Sequence, residues 1–420
     1  MKKTIWIMNH YAGGMVFDHG GRHYNFAKYL RQAGYAPVVF CANAKHGIPE
    51  HFFDTDALWT EQAAEDIDTP FVFVKARTYT GNGKQRVLNM MDFYLNLKKT
   101  AVEYAAKHGK PDVIYASSVH PLTLVAGIQL AKRFDVKCIC EVRDLWPEGI
   151  VAAYPDYFTR KNPLIRLLYQ GEKWIYKKAD ALIFTMEGGA QYIADRGWDI
   201  AHGGPINLNK VHHINNGVDL PAFDENRACF SVEDPSLEDP ETFKVVYTGS
   251  IRRVNHLGLL VDAAKLITDS RIRLLIWGDG DERVELEQRV ADEHIGNVVF
   301  KGKVEKKYIP SIVSRADLNV VHWEMSSLLK YGESYNKLFE YLAAGKPIFS
   351  TVHPGYSIVE QNRCGADTEG FMAQDFAAGI QRLAALPEED RRRMGENARN
   401  AAKEYDFKTL TEKLINIIEE

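Results

Sequence analysis

An asparagine, a lysine and a glutamate lie near one face of a short predicted helix within YGESYNKLFEYLAAGKPIFSTV, residues 331–352. Ser334 is a suitable N-terminal cap, and the Gly-Lys-Pro sequence ends a helix of about ten residues. Asn336 and Lys337 then fall in the first turn, with Glu340 one turn later. A helix start attracts phosphate, Lys337 adds a positive charge, and a carboxylate suits a ribose diol. The pattern predicts a nucleoside diphosphate site; an ordinary Lys–Glu surface pair is the alternative.

Two glycine pairs follow the first predicted strand, in NHYAGGMVFDHGGRHYNFAKYL. The second pair, Gly20-Gly21, directly precedes a predicted helix. Glycines let the backbone approach a ligand closely, and the helix start again faces an anion. We therefore expect Gly20 and Gly21 to contact the ligand, and a flexible loop is the alternative.

Further candidates follow strands in the second half of the chain. YTGSIRRVNHLGLL offers Gly249 for a turn and then Arg252 and Arg253, and arginine binds phosphate oxygens bidentately. A surface arginine pair is equally common. IWGDGDERVELE places Gly278 and Gly280 after another strand, but this is only part of a dinucleotide-binding glycine pattern.

Polar residues also end two neighbouring strands in the first half of the chain. His120 closes VIYASSVH, and Arg143 and Asp144 follow the next strand in CEVRDLWPEG. These side chains can bind an acceptor hydroxyl or a donor sugar. The alternatives are an internal Arg–Asp salt bridge and a histidine that caps the following helix.

Short β-rich runs alternate with amphipathic segments of helix length, such as 22–33 and 121–134. This rhythm is typical of parallel, doubly wound sheets. The predicted strands are 5–9, 36–42, 71–76, 113–117, 137–142, 181–186, 244–249, 272–277, 297–301, 318–322 and 347–352.

The rhythm breaks once, at 215–242, where Asn-Gly, Pro and acidic residues indicate a linker. The fold class is therefore α/β, with Rossmann-like domains at 1–218 and 219–405 facing a cleft. Ligands of such sheets bind beyond the carboxyl ends of the strands. We expect a helix at 406–420 to pack back on the first domain.

Composition excludes several classes of protein. The 420-residue chain has a net charge of −4, which gives no reason to expect nucleic acid. Its five cysteines show no zinc-like spacing and fit a reducing compartment. The first apolar run ends at Asn9, too early for a signal peptide, and no run approaches the roughly 18 apolar residues that span a bilayer. We expect a cytoplasmic protein.

Two basic stretches, 75–110 and 158–178, contain interleaved apolar and aromatic residues. Such segments suit an anionic membrane surface, which would make sense of a lipid-linked acceptor. The alternative is a solvated helix face whose other side lies in the core.

Taken together, these loops resemble the nucleotide-sugar glycosyltransferases of family 4, which have the GT-B fold. The resemblance spans nearly the whole chain, and it is closest to bacterial enzymes that assemble O-antigen, capsule or similar glycans. The motifs that carry it are RHYNFAKYL, EVRDLWPE, KKADALIFTM, HHINNGVD, YTGS, WGDG and SYNKLFEYLAAGKPI.

The resemblance implies roles for individual residues. Glu340 matches the second of two family glutamates, which binds the nucleotide ribose. The first would fall at Gly332, so Glu333 is one position away from it. Asn336 and Lys337 then take over donor contacts, and Arg252 or Arg253 stands for the arginine that binds the diphosphate.

The resemblance also implies a retaining reaction of a UDP-sugar with a glycan or lipid-linked acceptor. The transferred sugar would be an N-acetylated hexosamine or a related sugar, and no metal or other cofactor would be required. The catalytic-site histidine of many members aligns near Arg143. The predicted catalytic residues are Arg252, Lys337, Asp144 and His120; the donor-binding residues are Gly20, Gly21, Gly249, Arg253, Gly278, Gly280, Asn336 and Glu340; the substrate-binding residues are Arg143 and Glu333.

Two other functions stay open. A UDP-sugar epimerase of GT-B shape would need a placed acid/base pair and no acceptor. A non-catalytic sugar-nucleotide-binding module would be consistent with the missing first glutamate. A nicotinamide dehydrogenase is disfavoured, because the first loop lacks the GxGxxG pattern.

Overall fold

The computed structural model describes residues 2–420 and divides into two units. The first comprises Met1–Asn215 with Leu410–Glu420, and the second comprises Asn216–Thr409. Each unit is built on its own mainly parallel sheet. The chain therefore leaves the first unit once and returns to it at Leu410.

Strands and helices alternate through the first unit. Its strands are β1 (Thr4–Met8), β2 (Ala36–Ala42), β3 (Trp59–Ala64), β4 (Thr69–Val74), β5 (Val113–Ser117), β6 (Lys137–Val142), β7 (Ala181–Phe184) and β8 (Val211–His213). Its helices are α1 (Arg22–Gln32), α2 (Lys84–His108), α3 (Pro121–Phe134), α4 (Glu148–Ala153), α5 (Pro163–Lys178) and α6 (Gly189–Asp195).

The second unit repeats the alternation. Its strands are β9 (Phe243–Thr248), β10 (Ile272–Trp277), β11 (Val298–Gly302), β12 (Leu318–Val321), β13 (Ile348–Ser350) and β14 (Gly365–Asp367). Its helices are α7 (Leu220–Cys229), α8 (Pro235–Glu238), α9 (Leu257–Leu266), α10 (Arg283–Asp292), α11 (Ile309–Ser314), α12 (Asn336–Ala344), α13 (Ile358–Gln361), α14 (Ala373–Ala384) and α15 (Glu388–Ala402); α16 (Phe407–Glu419) begins here and continues into the first unit.

The first sheet has the strand order β3-β4-β2-β1-β5-β6-β7-β8. Every neighbouring pair is parallel except β3–β4, which is antiparallel. Residues of the central β1, including Trp6 and Ile7, are completely buried, because helices cover both faces of such a sheet. The carboxyl ends of β1, β5 and β6 therefore meet at one edge.

The second sheet has the order β11-β10-β9-β12-β13-β14, and all its pairs are parallel. The order reverses beside β9, so the carboxyl ends of β9 and β12 flank the point where ligands bind in doubly wound sheets. Segments after β9, β10 and β12 carry Gly249, Gly278 and Trp323.

The predicted linker at 215–242 is wrong in part, since it contains the ten-residue helix α7. Asp219 caps this helix by accepting a hydrogen bond from the backbone N–H of Ala222, and Pro221 occupies its first turn. Both features favour helix initiation despite the acidic, proline-containing composition. Strand β3 was not predicted, because its sequence WTEQAA is too polar to resemble a buried strand.

The segment Leu410–Glu420 packs on the first unit. Leu410, Leu414 and Ile417 are buried along one side of α16. Lys3 Nζ forms an ion pair with Glu419 Oε2 at 2.5 Å, and Tyr35 donates to Glu419 Oε1 at 2.7 Å. Within residues 2–420, no helix combines the length and apolar character needed to cross a membrane.

Candidate functional site

The helix predicted from the Asn-Lys-Glu pattern is α12. It begins at Asn336 and ends where Gly345 adopts a positive φ of 66°. Ser334 is not its cap, so that prediction is wrong: Tyr335 takes the cap position without a side-chain hydrogen bond. Ser334 Oγ instead accepts from the backbone N–H of Asn216 at 3.4 Å, and Asn216 Nδ2 donates to the Ser334 carbonyl at 2.9 Å. The start of α12 therefore has no side-chain cap, and of its first three residues only Leu338 donates its backbone N–H to a described group, the Tyr335 carbonyl at 3.1 Å.

Lys337 is held between aromatic side chains. Its Nζ donates to Tyr247 Oη at 2.9 Å and lies 4.2 Å from the centre of the Tyr247 ring and 5.8 Å from that of Trp323. In the described part of the chain no ion pair joins Lys337 to Glu340. The ordinary surface pair is therefore not what the structure shows.

The surroundings shift the pKa values of both groups. Burial lowers the pKa of Lys337 to about 7, against the opposing charge of Glu340. Burial raises the pKa of Glu340, and Lys306 and Lys337 oppose that rise. Both side chains are half-buried, while Asn336 at the helix start is exposed. Lys337 thus lacks a full counter-charge, and an incoming diphosphate would supply it.

The predicted glycines let the loop after β9 approach this lysine and let the loop after β10 pack against the loop after β9. Gly249 has φ +150°, and a Cβ atom there would lie 3.0 Å from Lys337 Nζ. A Cβ atom on Gly278 would lie 1.8 Å from the Gly249 carbonyl oxygen, and one on Gly280 would lie 2.1 Å from that of Ile251. Gly278 and Gly280 are therefore required for backbone packing, whatever they contribute to a ligand.

The two arginines differ in their contacts. The Arg252 side chain is exposed and has no hydrogen bond or ion pair with any residue that the structure describes. Arg253 is also exposed, and its Nη2 lies 3.9 Å from Glu285 Oε2. Asn255 fixes the loop that carries both, since its Nδ2 donates to the Ser250 carbonyl at 2.6 Å. Arg252 is thus the arginine that is free to bind an anion.

Glu333 is buried behind this edge of the second sheet. Its Oε1 accepts from the backbone N–H of Ile358 at 3.1 Å, at the start of α13. Burial raises its pKa to about 8, and the charge of Asp367 contributes. Asp367 is itself buried, and burial raises its pKa to about 7. Its Oδ2 lies 3.3 Å from His353 Nδ1. Glu333 therefore has a structural contact besides any substrate role.

One group of potential metal ligands exists among residues 2–420. His353, Glu360 and Asp367 offer atoms that lie within 4.8 Å of one another. Two of the three are exposed, and exposed acidic groups commonly bind no metal. The absence of a metal requirement stays a prediction.

In the first unit, a buried network that was not predicted from the sequence surrounds Glu141. Arg22 donates to Glu141 Oε1 through Nε at 2.8 Å and also through Nη2, and Ser117 donates to Oε2 at 2.6 Å. Tyr115 donates to Oε1 as well. Burial alone would raise the pKa of Glu141, but the Arg22 charge holds it well below the usual range. Two features of the sequence could have indicated this network. One is a glutamate in the mostly apolar strand β6, and the other is the arginine at the first position of α1.

The same arginine connects motifs that are far apart in sequence. Arg22 Nη1 donates to the Asn215 carbonyl at 2.5 Å, and Nη2 donates to that of Ile214 at 2.8 Å. RHYNFAKYL, EVRDLWPE and HHINNGVD thus share one buried network. Gly21 precedes Arg22 with φ +97° and occupies the N-cap position of α1, so the predicted helix does begin directly after the glycine pair. Contact of Gly20 and Gly21 with a ligand stays a prediction.

His120 is buried at the start of α3 and does not cap it with its side chain. Its Nε2 lies 2.7 Å from Nδ1 of His10, a residue that sequence analysis did not select. Burial lowers the pKa of His120 to about 3 and that of His10 well below its usual value. Both imidazoles are therefore neutral at pH 7, so one donates and the other accepts.

Arg143 and Asp144 lie beyond the end of β6. The Arg143 backbone N–H donates to Ser118 Oγ at 3.0 Å, which ties this loop to the end of β5. No salt bridge joins Arg143 to Asp144 among the described residues, and the Asp144 side chain is exposed. The structure thus brings His120, Arg143 and Asp144 to neighbouring strand ends in the first unit, and Asn336, Lys337, Glu340 and Gly249 to one edge of the second.

Comparison with known proteins gives matches in both units. A family model described as glycosyl transferase 4-like domain matches residues 20–203, and one described as glycosyl transferases group 1 matches residues 232–401. The chain is 26% identical over 289 residues to D-inositol 3-phosphate glycosyltransferase of Pseudarthrobacter chlorophenolicus, a match that covers 66% of this chain. The chain spans only 63% of that relative's length.

Solved structures share the fold over the whole chain. Sucrose-phosphate synthase from Thermosynechococcus elongatus has a TM-score of 0.72 at 20% identity. The match covers 100% of this chain and 98% of the synthase chain. HepE of Anabaena, solved in complex with UDP, has a TM-score of 0.61 at 15% identity and covers 100% of both chains. The predicted GT-B fold class is confirmed by these likenesses. The chain therefore belongs to the glycosyltransferases, with a family 4-like domain in its first unit and a group 1 domain in its second.

Proposed function

We propose that the protein is a retaining glycosyltransferase. It moves a sugar, an N-acetylated hexosamine or a related sugar, from UDP to a glycan or lipid-linked sugar acceptor in surface polysaccharide assembly. The observation that carries the proposal is Lys337, held by Tyr247 and Trp323 at the start of α12 with a pKa lowered to about 7. A lysine so placed gains more from a diphosphate than an exposed lysine does.

In this proposal the donor lies along the start of α12. Glu340 binds the ribose, and Asn336 and the free N–H groups of the helix bind the diphosphate. Lys337 and Arg252 stabilise the charge that develops on the diphosphate as the bond from its β-phosphate oxygen to the anomeric carbon breaks. The acceptor oxygen bonds to the same face of that carbon, and its proton passes to the departing phosphate oxygen.

The acceptor is proposed to bind at the strand ends of the first unit, where Arg143, Asp144 and His120 lie. His120 is neutral at pH 7 and therefore serves as a hydrogen-bonding group rather than as an acid. The protein would act at the cytoplasmic face of a membrane, to which its basic, apolar-containing stretches attach it.

A second candidate acceptor is a soluble phosphorylated sugar or polyol. It is favoured by the descriptions of two similar proteins, a D-inositol 3-phosphate glycosyltransferase and a sucrose-phosphate synthase. The epimerase and the non-catalytic module would need no acceptor.

The test is release of UDP, GDP or dTDP from a panel of nucleotide sugars, with and without lipid-linked sugars and with sugar phosphates. UDP release that only a lipid-linked sugar accelerates supports the proposal. Acceleration by a sugar phosphate alone favours the second candidate. Isomerisation of UDP-N-acetylglucosamine without acceptor indicates the epimerase, and tight UDP binding without turnover indicates the binding module.

A further inference from the structure

A cavity of about 480 Å³ opens in the first unit between α3, α5 and the loop after β6. This volume falls within the range of small-molecule binding pockets. Most of its wall is apolar, and it includes Leu122, Val125, Val142, Leu168, Trp174 and Ile175. The cavity is not needed for any step of the donor chemistry described above.

Three polar side chains of the wall accept hydrogen bonds from within the first unit. Gln129 Oε1 accepts from Tyr94 at 2.9 Å, and Ser118 Oγ accepts from the Arg143 backbone at 3.0 Å. Glu172 accepts from Tyr176 at 2.7 Å and Tyr192 at 2.9 Å.

Asp144 lines the same cavity, and no described residue forms a hydrogen bond or ion pair with its carboxylate. The cavity therefore combines a mostly apolar wall with the free carboxylate of Asp144, one of the proposed acceptor residues.

The wall of the cavity includes apolar side chains of α5 that are exposed at the protein surface. Leu167 is 67% exposed and Trp174 is 39% exposed, and both also line the cavity. Arg166 is exposed beside them, and Lys173 is half-buried. Helix α2 adds an exposed apolar stripe at four-residue spacing, formed by Val87, Met91 and Leu95. Exposed apolar side chains among basic ones suit the surface of an anionic membrane.

We propose that this cavity binds the hydrocarbon chain of a lipid-linked acceptor, with the polar head at Asp144 and Arg143. This inference rests on the proposed transferase function and specifies how its acceptor is bound. A hydrocarbon chain matches the apolar wall. It would enter the cavity from the membrane surface by passing Leu167 and Trp174. A soluble sugar phosphate would leave the wall of Leu122, Val125 and Leu168 without a partner.

Gly171 offers a direct way to fill the cavity. It lines the cavity within α5, and a Cβ atom at this position would meet no atom within 4 Å. Gly171→Phe therefore places a large side chain in the space while the helix is kept. Gly149→Phe is the matched control, since Gly149 is also helical and also has no atom within 4 Å of a Cβ position, but does not line the cavity.

The first experiment measures binding of isopentenyl, geranyl and farnesyl phosphate and of inorganic phosphate by calorimetry. Each buried CH₂ group strengthens binding about fourfold, so affinity should rise at least about tenfold with each added isoprene unit. Gly171→Phe should weaken farnesyl phosphate binding by about tenfold or more, and Gly149→Phe should leave it within about twofold. Affinity that does not depend on chain length, or equal effects of the two substitutions, would overturn the inference.

The second experiment separates this inference from the proposed function. In transfer assays with long-chain and short-chain lipid-linked acceptors, Gly171→Phe should reduce the ratio of their kcat/KM values by about tenfold or more. If the wild type transfers equally to both acceptors and the ratio is unchanged in the variant, the inference is wrong while the transferase function stands. If no acceptor is glycosylated but farnesyl phosphate binds and Gly171→Phe abolishes that binding, the cavity assignment stands and the proposed function fails.

Discussion

Replacing Lys337 by methionine should lower the rate of UDP release strongly and should make the protein slightly more stable. Methionine keeps the length and the apolar stem of the side chain, so Tyr247 and Trp323 stay covered. Only the charge and the hydrogen bond of 2.9 Å to Tyr247 Oη are lost. The substitution therefore isolates the role of the positive charge.

The effect on rate follows from the charge that develops on the leaving diphosphate. Two opposite unit charges about 4 Å apart gain about 4 kcal/mol near a protein surface. Loss of a single donor to a developing anion typically reduces kcat by about 10²–10³-fold. We expect a reduction of this order in Lys337→Met, and a smaller one in Lys337→Arg, which keeps the charge.

The effect on stability has the opposite sign. Burial lowers the pKa of Lys337 from 10.5 to about 7, and one pKa unit is worth about 1.36 kcal/mol. The full shift would oppose folding by about 5 kcal/mol, and screening of the half-buried side chain reduces this to about 2 kcal/mol. The lost contacts with Tyr247 and Trp323 offset about 1 kcal/mol. The variant should therefore be more stable by about 1 kcal/mol at pH 7.

The pH dependence of the stability difference provides a separate check. Below pH 7 the lysine is protonated in the folded and the unfolded chain, and the destabilisation is complete. Between pH 7 and 10.5 the folded chain loses the proton first, so the destabilisation disappears as pH rises. The advantage of Lys337→Met should fade over that interval.

The assays are UDP release at saturating donor and urea unfolding from pH 6 to pH 10. Lys346→Met is the control, because Lys346 is a half-buried lysine just beyond the same helix; it should leave kcat unchanged. The reasoning is refuted if Lys337→Met retains kcat within about tenfold, or if it is less stable than the wild type by about 1 kcal/mol or more.

Three further substitutions test other parts of the structure. Glu141→Gln should lower the free energy of unfolding by about 3–5 kcal/mol, because the buried Arg22 loses its counter-charge; urea unfolding measures this, and a loss below about 1 kcal/mol would contradict the network. Gly249→Ala should weaken UDP binding by about tenfold or more, because φ is +150° and the new Cβ would lie 3.0 Å from Lys337 Nζ; unchanged affinity in calorimetry would contradict this. Glu340→Gln should weaken UDP binding by about 10–100-fold through loss of a charged hydrogen bond to the ribose, but should leave pyrophosphate binding unchanged; an equal effect on both ligands would disprove the ribose assignment.

Local sequence patterns were sufficient to predict most of the fold. Alternation of β-rich and amphipathic runs predicted eleven strands to within a few residues, since strands buried on both faces are apolar throughout. The short parallel edge strands β8 and β14, of three residues each, were missed. Strand β3 was missed because its edge position permits the polar sequence WTEQAA. Helix α7 was missed because a capping aspartate and a proline in the first turn outweighed the composition of a linker.

The candidate site was predictable where its residues lie close together in sequence. Asn336, Lys337 and Glu340 share one helix, so their proximity follows from helical spacing. The contact of Lys337 with Tyr247 and the pairing of His120 with His10 join residues 90 and 110 positions apart. Such contacts depend on which strands are neighbours, and a single sequence taken alone does not specify this.

The division of the chain into units has a consequence for the order of folding. The second unit interrupts the first, since Asn215 and Leu410 flank an insertion of about 190 residues. Inside the insertion, Val218 exchanges backbone hydrogen bonds of 3.0 Å with Tyr405 and Phe407, so folding of the second unit joins its two ends. Without that joining, bringing Leu410–Glu420 back to the first unit would cost about 5 kcal/mol of loop-closure entropy. The folded second unit thus keeps its own two ends close together, and completion of the first unit should follow folding of the second.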